Sequence, residues 1–480
     1  MGISLQHTYA QLPERFFSKQ LPAGAPEPVL IRSNPELANE LGITSAWFSS
    51  PAALATFSGN EIPDGAEPIA QAYAGHQFGG FVPQLGDGRA ILLGEVIDIR
   101  GQRRDIQLKG SGRTVFSRGG DGKSALGPVL REYLVSETMH ALGVPTTRAL
   151  AAIATGEIVS RDQPAPGGVL TRVAASHIRV GTFQYFAARQ DTEAIRILTD
   201  YCIDRHYPQA ADAENPALAF LENVIRAQAS LIARWLPLGF IHGVMNTDNC
   251  AISGETIDFG PCAFVDTFHP DKVFSFIDRN GRYAWGNQPT IAHWNLTRLA
   301  ETLLPVIDPS PERAKELATS ALETFIHHFQ SAYLDQFGKK LGLDSGSDPE
   351  IRMAFIKSTL GTLAKDKTDF TLFFRHLTLF AAHEKRSQLK QMIHERWISD
   401  WQSMQKPENH HAIMQASNPI LIPRNHRIEE AIRAAYQNDF SLFHRLADAL
   451  AKPFDENRAY ADLEDAPLPE QCVKNTFCGT

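Results

Sequence analysis

The sequence predicts an α+β protein of two lobes: a small β-rich lobe carrying one key helix, then a larger helical lobe, with extensions at both ends. Three observations predict it. From Phe81 to Lys109 the chain reads as short strands separated by glycine turns. One well-punctuated helical pattern follows, over Val129–Leu142. After about residue 191 helical spacing dominates.

Residues 1–70 are rich in Pro and Ala and read as an N-terminal extension packed on the small lobe. The small lobe is placed at 71–185. Within it, Phe81–Leu85 and Ala90–Ile97 predict two strands around the tight turn Gly86-Asp87-Gly88. Arg103–Lys109 alternates polar and apolar residues and predicts a third strand. A Gly/Ser/Arg-rich loop spans Gly110–Gly127. Pro128 marks a helix start, and Gly143 with Pro145 stops that helix. Val169–Val173 and Gly181–Phe186 bracket an irregular stretch.

The helical lobe is placed at 186–330. Pro216–Leu238 predicts one amphipathic helix ended by Pro237 and Gly239, and Cys250–Ile252 and Thr256–Phe259 predict small strands. The remainder, 331–480, is a helical C-terminal extension with a cysteine-containing tail. Helical patterns run from Pro311 to about Gln405, broken at Gly342–Pro349. The Phe-rich segment Phe370–Phe380 has helical spacing and reads as core. Neither an internal repeat nor a low-complexity tract is present.

Composition excludes several classes. The chain has 480 residues, 43% hydrophobic and 21% charged, enough for a sizeable core. Lys+Arg is 46 against Asp+Glu 54, a net charge of −8, so no nucleic-acid partner is expected. No apolar run approaches the ~18 residues needed to cross a bilayer, so no membrane partner is expected either. Met1–Phe17 lacks an apolar signal region and Gln6 breaks the myristoylation pattern, so a cytoplasmic location is expected. The five cysteines form no C-x-x-C pair, which leaves no structural zinc spacing. His327-His328 and His410-His411 are adjacent pairs that point apart on a helix and do not chelate. Without a G-x-S-x-G elbow, a hydrolase reading has no nucleophile.

The residues that carry chemistry begin with Ile257-Asp258-Phe259-Gly260. An Asp ending an apolar strand, followed by an aromatic and a glycine, can hold a metal while the chain turns. Alone such a triplet is weak. Upstream lies His242-Gly243-Val244-Met245-Asn246-Thr247-Asp248-Asn249. An Asn followed, after a short hairpin, by D-F-G is how kinase-type folds gather two ligands onto phosphate-bridging Mg²⁺. Asn249 and Asp258 supply hard oxygen atoms, which suit Mg²⁺ or Mn²⁺. The small lobe supplies the matching half: Gly86 and Gly88 as a phosphate-covering loop, Lys109 at a strand end, and Glu132 on the helix to steady it. Each piece has a plainer alternative, as a hairpin turn, a solvated strand end or a surface ion pair; order and spacing together favour the kinase-like, bilobal arrangement.

One departure outweighs the matches. The usual H-R-D-x-x-x-x-N block reads H-G-V-x-x-x-x-N here, so Val244 stands where kinases place the carboxylate that accepts the substrate proton. A valine accepts none. The nearest carboxylate is Asp248, which either orients or deprotonates a nucleophile or caps the structure that follows.

These stretches resemble the selenoprotein O family of kinase-like protein adenylyltransferases, in its bacterial form. The matching blocks are Ala74–Gly80, Gln84–Ala90, Leu108–Gly112, Ser117–Gly122, Arg131-Glu132, His242–Asn249, Asp258–Gly260 and Pro423-Arg424-Asn425-His426. The resemblance runs from about residue 60 to the end. It implies a protein-kinase-like fold that binds ATP reversed, so that AMP moves onto Ser, Thr or Tyr hydroxyls of proteins, the chain itself among the candidate acceptors. UMP from UTP is the variant if the base pocket admits it.

By the same resemblance Gly86, Gly88, Arg89, Lys109, Asp121, Gly122, Arg172 and Arg179 contact the nucleotide. Asn249 and Asp258 hold the metal, and Asp248 accepts the proton. Without the resemblance, Arg172 and Arg179 would read as surface ion pairs. The family also carries a redox-active residue third from the end, here Cys478, with Cys262 proposed as its partner and Cys472 as the rival. Two other readings stand beside AMP transfer: a γ-phosphate-transferring kinase using Asp248, and a catalytically silent nucleotide-binding scaffold.

Overall fold

A computed structural model of the chain describes residues 3–405 and 410–476. The strands are β1 (Phe17–Lys19), β2 (Val29–Ser33), β3 (Ile69–Gln71), β4 (Gly75–Gln77), β5 (Gly80–Val82), β6 (Ala90–Ile97) and β7 (Arg103–Lys109). They continue with β8 (Ser124–Ala125), β9 (Arg148–Val159), β10 (Ala165–Ala174), β11 (Phe240–Ile241) and β12 (Ala263–Phe264). The main sheet is antiparallel, ordered β1–β3–β6–β7–β10–β9–β2, with β8 added beside β10. The first seventy residues thus supply β1 and β2, the two edge strands, and the start of β3.

Three short helices, α1 (Pro35–Glu40), α2 (Ser45–Phe48) and α3 (Pro51–Phe57), cover one face of this sheet. The side chains of Asn34 and Ser50 cap α1 and α3, each followed by a proline at the helix start. Alternation along β7 decides which residues meet them: Ile106 and Leu108 join the cluster with Leu37, Phe48 and Phe57. Asp105, Gln107 and Lys109 therefore point to the opposite face. There α4 (Leu126–Ala141) packs, burying Leu126, Val129, Leu130 and Leu134. It begins ahead of Pro128, because a proline within the first turn sacrifices no helical hydrogen bond.

The rest of the chain is mainly helical. It comprises α5 (Val180–Ala187), α6 (Thr192–His206), α7 (Pro216–Trp235), α8 (Gln288–Ile307), α9 (Pro311–Leu341), α10 (Pro349–Lys365) and α11 (Phe370–Ala381). Then come α12 (Leu389–Met392), α13 (Glu395–Ser403), α14 (His410–Ser417), α15 (Asn425–Ala435) and α16 (Ser441–Leu450). Gly239 and Gly342, both left-handed, end the α7 and α9 regions. Phe370, Phe373 and Phe374 are buried with Trp397 and Trp401 in a second core. Among the described residues no helix is long and apolar enough to cross a membrane.

Two expectations are corrected. Phe81–Leu85 does not pair with Ala90–Ile97: β5 pairs with β4, and the N–H groups of Leu85 and Asp87 are taken by the carbonyls of Tyr73 and Gln71. Gly181–Phe186, which brackets the irregular stretch on its far side, lies within helix α5, started where Arg179 N donates to Thr182 Oγ1 at 3.1 Å. Between Asn249 and Asp258 there is no hairpin. Ile252 N donates to Ile178 O and Thr256 N to Pro145 O, so both segments spend their backbone on neighbouring loops.

Candidate active site

The site is assembled where the sheet face under α4 meets the loop containing Asp258. Lys109 ends β7, and its Nζ donates to Glu132 Oε2 on α4 at 2.7 Å and to Asp258 Oδ1 at 2.6 Å. Arg172 lies opposite Gln107 on β10, on the same face. Its Nε donates to Glu132 Oε1 at 2.8 Å and its Nη2 to Asp258 Oδ1 at 2.6 Å. Arg179, ahead of α5, completes the ring: its Nη1 donates to Asp258 Oδ2 at 3.0 Å and to the Asp248 carbonyl at 2.8 Å. Arg172 and Arg179 are 1% and 3% exposed, so neither is the surface ion pair that their sequence context alone suggests.

Asp258 reaches all three cations from a left-handed backbone, φ 63°. A non-glycine residue held there stores strain that the surrounding contacts must offset. Burial alone would raise its carboxyl, yet Arg172, Lys109 and Arg179 hold it well below the ordinary carboxylate range. Glu132 follows the same logic, with Arg172 and Lys109 outweighing burial. Burial, then Arg172, lowers the Lys109 ammonium.

Two further acids border the ring. Asp248 is buried, its Oδ2 accepting from Gln77 Nε2 at 3.4 Å while Oδ1 has no partner. Burial pushes its carboxyl up to about 6, with Arg179 acting against the rise. Asp87, which the sequence presents only as a turn residue between glycines, is also buried. Its Oδ1 lacks a hydrogen bond and sits 3.9 Å from Arg179 Nη2. Burial pushes it up to about 6, again against Arg179.

The loop after β7 folds back over Gly86-Asp87-Gly88. A Cβ on Gly86 would meet the Phe116 ring at 2.3 Å, and one on Gly88 would lie 2.9 Å from the Phe116 carbonyl. Thr114 Oγ1 donates to Asp87 O at 2.7 Å. Gly122 (φ 69°) is pressed against the Gly112 carbonyl at the base of that loop. Arg89 is half-buried, and its carbonyl accepts from Gly110 N at 2.7 Å. Asp121 stands apart from the ring, on the outer loop, paired with Arg161 at 2.9 Å.

Asn249 Nδ2 donates to Val244 O at 2.9 Å, which fixes the amide and leaves its oxygen as the available donor atom. Val244, which the sequence aligns with the kinase base, is buried. Among the described residues no group of three or more His, Cys, Asp or Glu forms a metal cluster. The Asn249 amide oxygen and the Asp258 carboxylate are nonetheless hard oxygen donors of the kind Mg²⁺ and Mn²⁺ accept. Cys262 is buried, four residues after Asp258; Cys478 lies outside the described residues.

Residues missed by sequence reasoning share one trait: their roles are long-range. Gly75 is an example, since a Cβ there would lie 2.5 Å from Asp248 Oδ1. Gln77 and Asn246 belong with it, and nothing in their local sequence signals the contact.

An α+β chain that buries three cations around two carboxylates, beside a glycine loop, defines a protein built to receive a polyanionic ligand. Comparison makes this specific. The family model described as Protein adenylyltransferase SelO matches residues 1–451. A "Protein nucleotidyltransferase YdiU" of Nitrobacter hamburgensis is 53% identical over 489 aligned residues, covering 100% of this chain and 96% of the relative. Relatives of the same name from Rhizobium rhizogenes and Agrobacterium fabrum are each 54% identical, covering 100% of this chain and 97% and 100% of the relatives. The chain belongs to the SelO family of protein adenylyltransferases, and its activity class is AMP transfer from ATP to protein.

Proposed function

We propose that the chain adopts the kinase-like bilobal arrangement, with 1–70 packed on a small lobe at 71–185, a helical lobe at 186–330 and a C-terminal extension at 331–480. ATP lies reversed in it. Lys109, Arg172 and Arg179 take the buried end of the triphosphate, and Glu132 holds Lys109 and Arg172 in line. The glycine loop of Gly86 and Gly88 covers the phosphates with Arg89 beside it, and Asp121 and Gly122 complete the set of residues that contact the nucleotide. The observation that carries this reading is the convergence of two buried guanidinium groups and an ammonium on one carboxylate. A single lysine could not neutralise a buried triphosphate end; three donors with forked geometry can.

The reacting oxygen belongs to a Ser, Thr or Tyr of an acceptor protein. It attacks the α-phosphorus while the bond from that phosphorus to the bridging oxygen breaks, releasing pyrophosphate. The hydroxyl proton passes to Asp248, whose Oδ1 is unpartnered and whose carboxyl is raised toward neutrality, as suits a general base. Asn249 and Asp258 would hold Mg²⁺ or Mn²⁺, which when bound supplies charge neutralisation on the phosphates. Val244 argues against γ-phosphate transfer to a hydroxyl, and intact Lys109, Glu132, Asn249 and Asp258 argue against a silent scaffold.

The test uses ATP labelled at the α or the γ phosphate, Mg²⁺ or Mn²⁺, reducing conditions and an Asp258→Ala control. Protein-bound label from α only, lost in the control, is the expected result, and UTP in place of ATP reads the base preference. Label from γ only makes the protein a kinase. Absence of label from either makes it a scaffold.

A further inference from the structure

The β4–β5 hairpin rests directly on the segment that carries Asp248. His76 N donates to Thr247 Oγ1 at 2.7 Å, Phe78 N to Asn246 Oδ1 at 3.0 Å, and Gln77 Nε2 to Asp248 Oδ2 at 3.4 Å. Asn246 Oδ1 also accepts from the Tyr283 hydroxyl at 2.7 Å. The hairpin and the stretch around Tyr283 therefore form one surface bordering Asp248.

On that surface rings and guanidinium groups alternate. The His76 ring lies 4.9 Å from Phe81 and 5.1 Å from Trp294. Arg282 stacks over Trp294 at 4.7 Å and lies 5.7 Å from the Tyr283 ring. Arg298 also lies over Trp294, at 5.1 Å, but its charge is taken by Glu301 at 2.7 Å. The nearest acid in sequence, Asp278, is spent on the N–H groups of Arg282 and Tyr283 at 2.9 and 2.7 Å. Arg282 itself is half-buried, pairs with no carboxylate among the described residues, and has a buried Nε without a hydrogen-bond partner. Gly79 (φ 89°) closes on it: a Cβ there would lie 3.8 Å from the Arg282 guanidinium carbon. Phe81, alongside, is 42% exposed.

We propose that this surface docks the acceptor protein through an acidic segment: an Asp or Glu close to the modified hydroxyl forks onto the Arg282 guanidinium, and an apolar neighbour covers Phe81. A guanidinium held over an indole ring still carries forked N–H donors that suit a carboxylate. Aromatic residues with arginine are also the groups that dominate protein interfaces. On a chain of net charge −8, an unpaired cation beside the reacting centre gives an acidic segment the local attraction that the whole surface denies it. The inference rests on Asp248 facing the acceptor, as in the function proposed above.

The experiment presents full-length protein, α-labelled ATP and metal with a peptide library in which a central Ser, Thr or Tyr is flanked by Asp/Glu, by Lys/Arg or by neutral residues. Acidic flanks are expected to be labelled at least about tenfold faster than basic ones, the scale of one charge-assisted contact. Arg282→Gln should erase that ratio and Arg282→Glu invert it. Arg282→Lys should retain part of it, and the ATP Kd should hold in all three. Equal labelling of all flanks, a preference untouched by Arg282→Glu, or label confined to the enzyme's own chain overturns the docking surface and leaves AMP transfer standing. An Arg282-dependent acidic preference read with γ label instead keeps the surface and overturns AMP transfer.

Discussion

A Cβ placed on Gly75 would lie 2.5 Å from Oδ1 of Asp248 and 3.0 Å from its Cβ and Cγ. Glycine at 75 is thus what lets the Asp248 carboxylate stand where it does, with Oδ1 unpartnered. Gly75→Ala should turn that carboxylate away. Transfer kcat is expected to fall about tenfold or more, and more than ATP affinity does, since the cations proposed to bind the triphosphate keep their contacts with Asp258. Asp248→Asn should cost about 10²–10⁴ in kcat, the range of a lost general base. Unchanged kcat in Gly75→Ala would show that the Asp248 geometry does not limit the reaction.

Asp258 occupies the three cations that the proposed triphosphate needs. In Asp258→Asn those cations lose their shared counter-charge, so two effects of opposite sign are expected. The melting temperature in phosphate-free buffer should drop, since breaking a buried ion cluster costs about 3–5 kcal/mol. Tripolyphosphate affinity in EDTA should rise about tenfold, because the anion no longer competes with a carboxylate for charge-assisted bonds worth about 1.5–3 kcal/mol each. Titration calorimetry decides it: unchanged or weaker tripolyphosphate binding would mean that these cations do not face the phosphates.

Much of this was legible in the sequence, and the illegible remainder has a common cause. Strand alternation set the face of Lys109, and helical spacing set Glu132, so their 2.7 Å contact follows from local pattern. Arg172 and Arg179 could not be placed that way. Their burial depends on α4 and the Asp258 loop closing over them, and no local period reports that closure. The same blindness made Gly86-Asp87-Gly88 look like a hairpin turn. What requires glycine at 86 is the Phe116 ring, which arrives from a later loop. The D-F-G triplet is visible in the sequence, but the path into it is not, because its flanking backbone pairs with Ile178 and Pro145 rather than with itself.

The C-terminal tail reaches the same neighbourhood. Thr476 N donates to Phe274 O at 2.8 Å, and its Oγ1 to Pro261 O at 2.5 Å, beside Cys262. Oxidised protein is accordingly expected to yield a Cys262–Cys478 cross-linked peptide under non-reducing mapping, lost in Cys262→Ser. A Cys472–Cys478 peptide instead, or both Cys262 and Cys478 recovered as thiols after oxidant, would refute the pairing.

Lys340 provides the pH test. It is 2% exposed near the end of α9, its Nζ 4.2 Å from the Phe374 ring centroid and 5.6 Å from that of Phe370. Burial lowers its ammonium from 10.5 to about 7. Between those values the unfolded chain binds a proton that the folded chain has released, so stability from this group rises with pH and levels off above 10.5. As pH falls to 7 and below, that contribution is lost and an ammonium must be held among aromatic rings. Lys340→Met fills the same space without the charge. It should therefore stabilise the protein at pH 6–7 by about 3 kcal/mol, since one pKa unit corresponds to about 1.4 kcal/mol and the ring contacts offset part of the total. The advantage should shrink steadily toward pH 10. Urea titrations of both proteins at pH 6, 7.5 and 9 read this difference directly, with every other titrating group common to the pair. A gap that stays constant across that range would mean Lys340 keeps an ordinary pKa, its charge reaching water despite the burial of its stem.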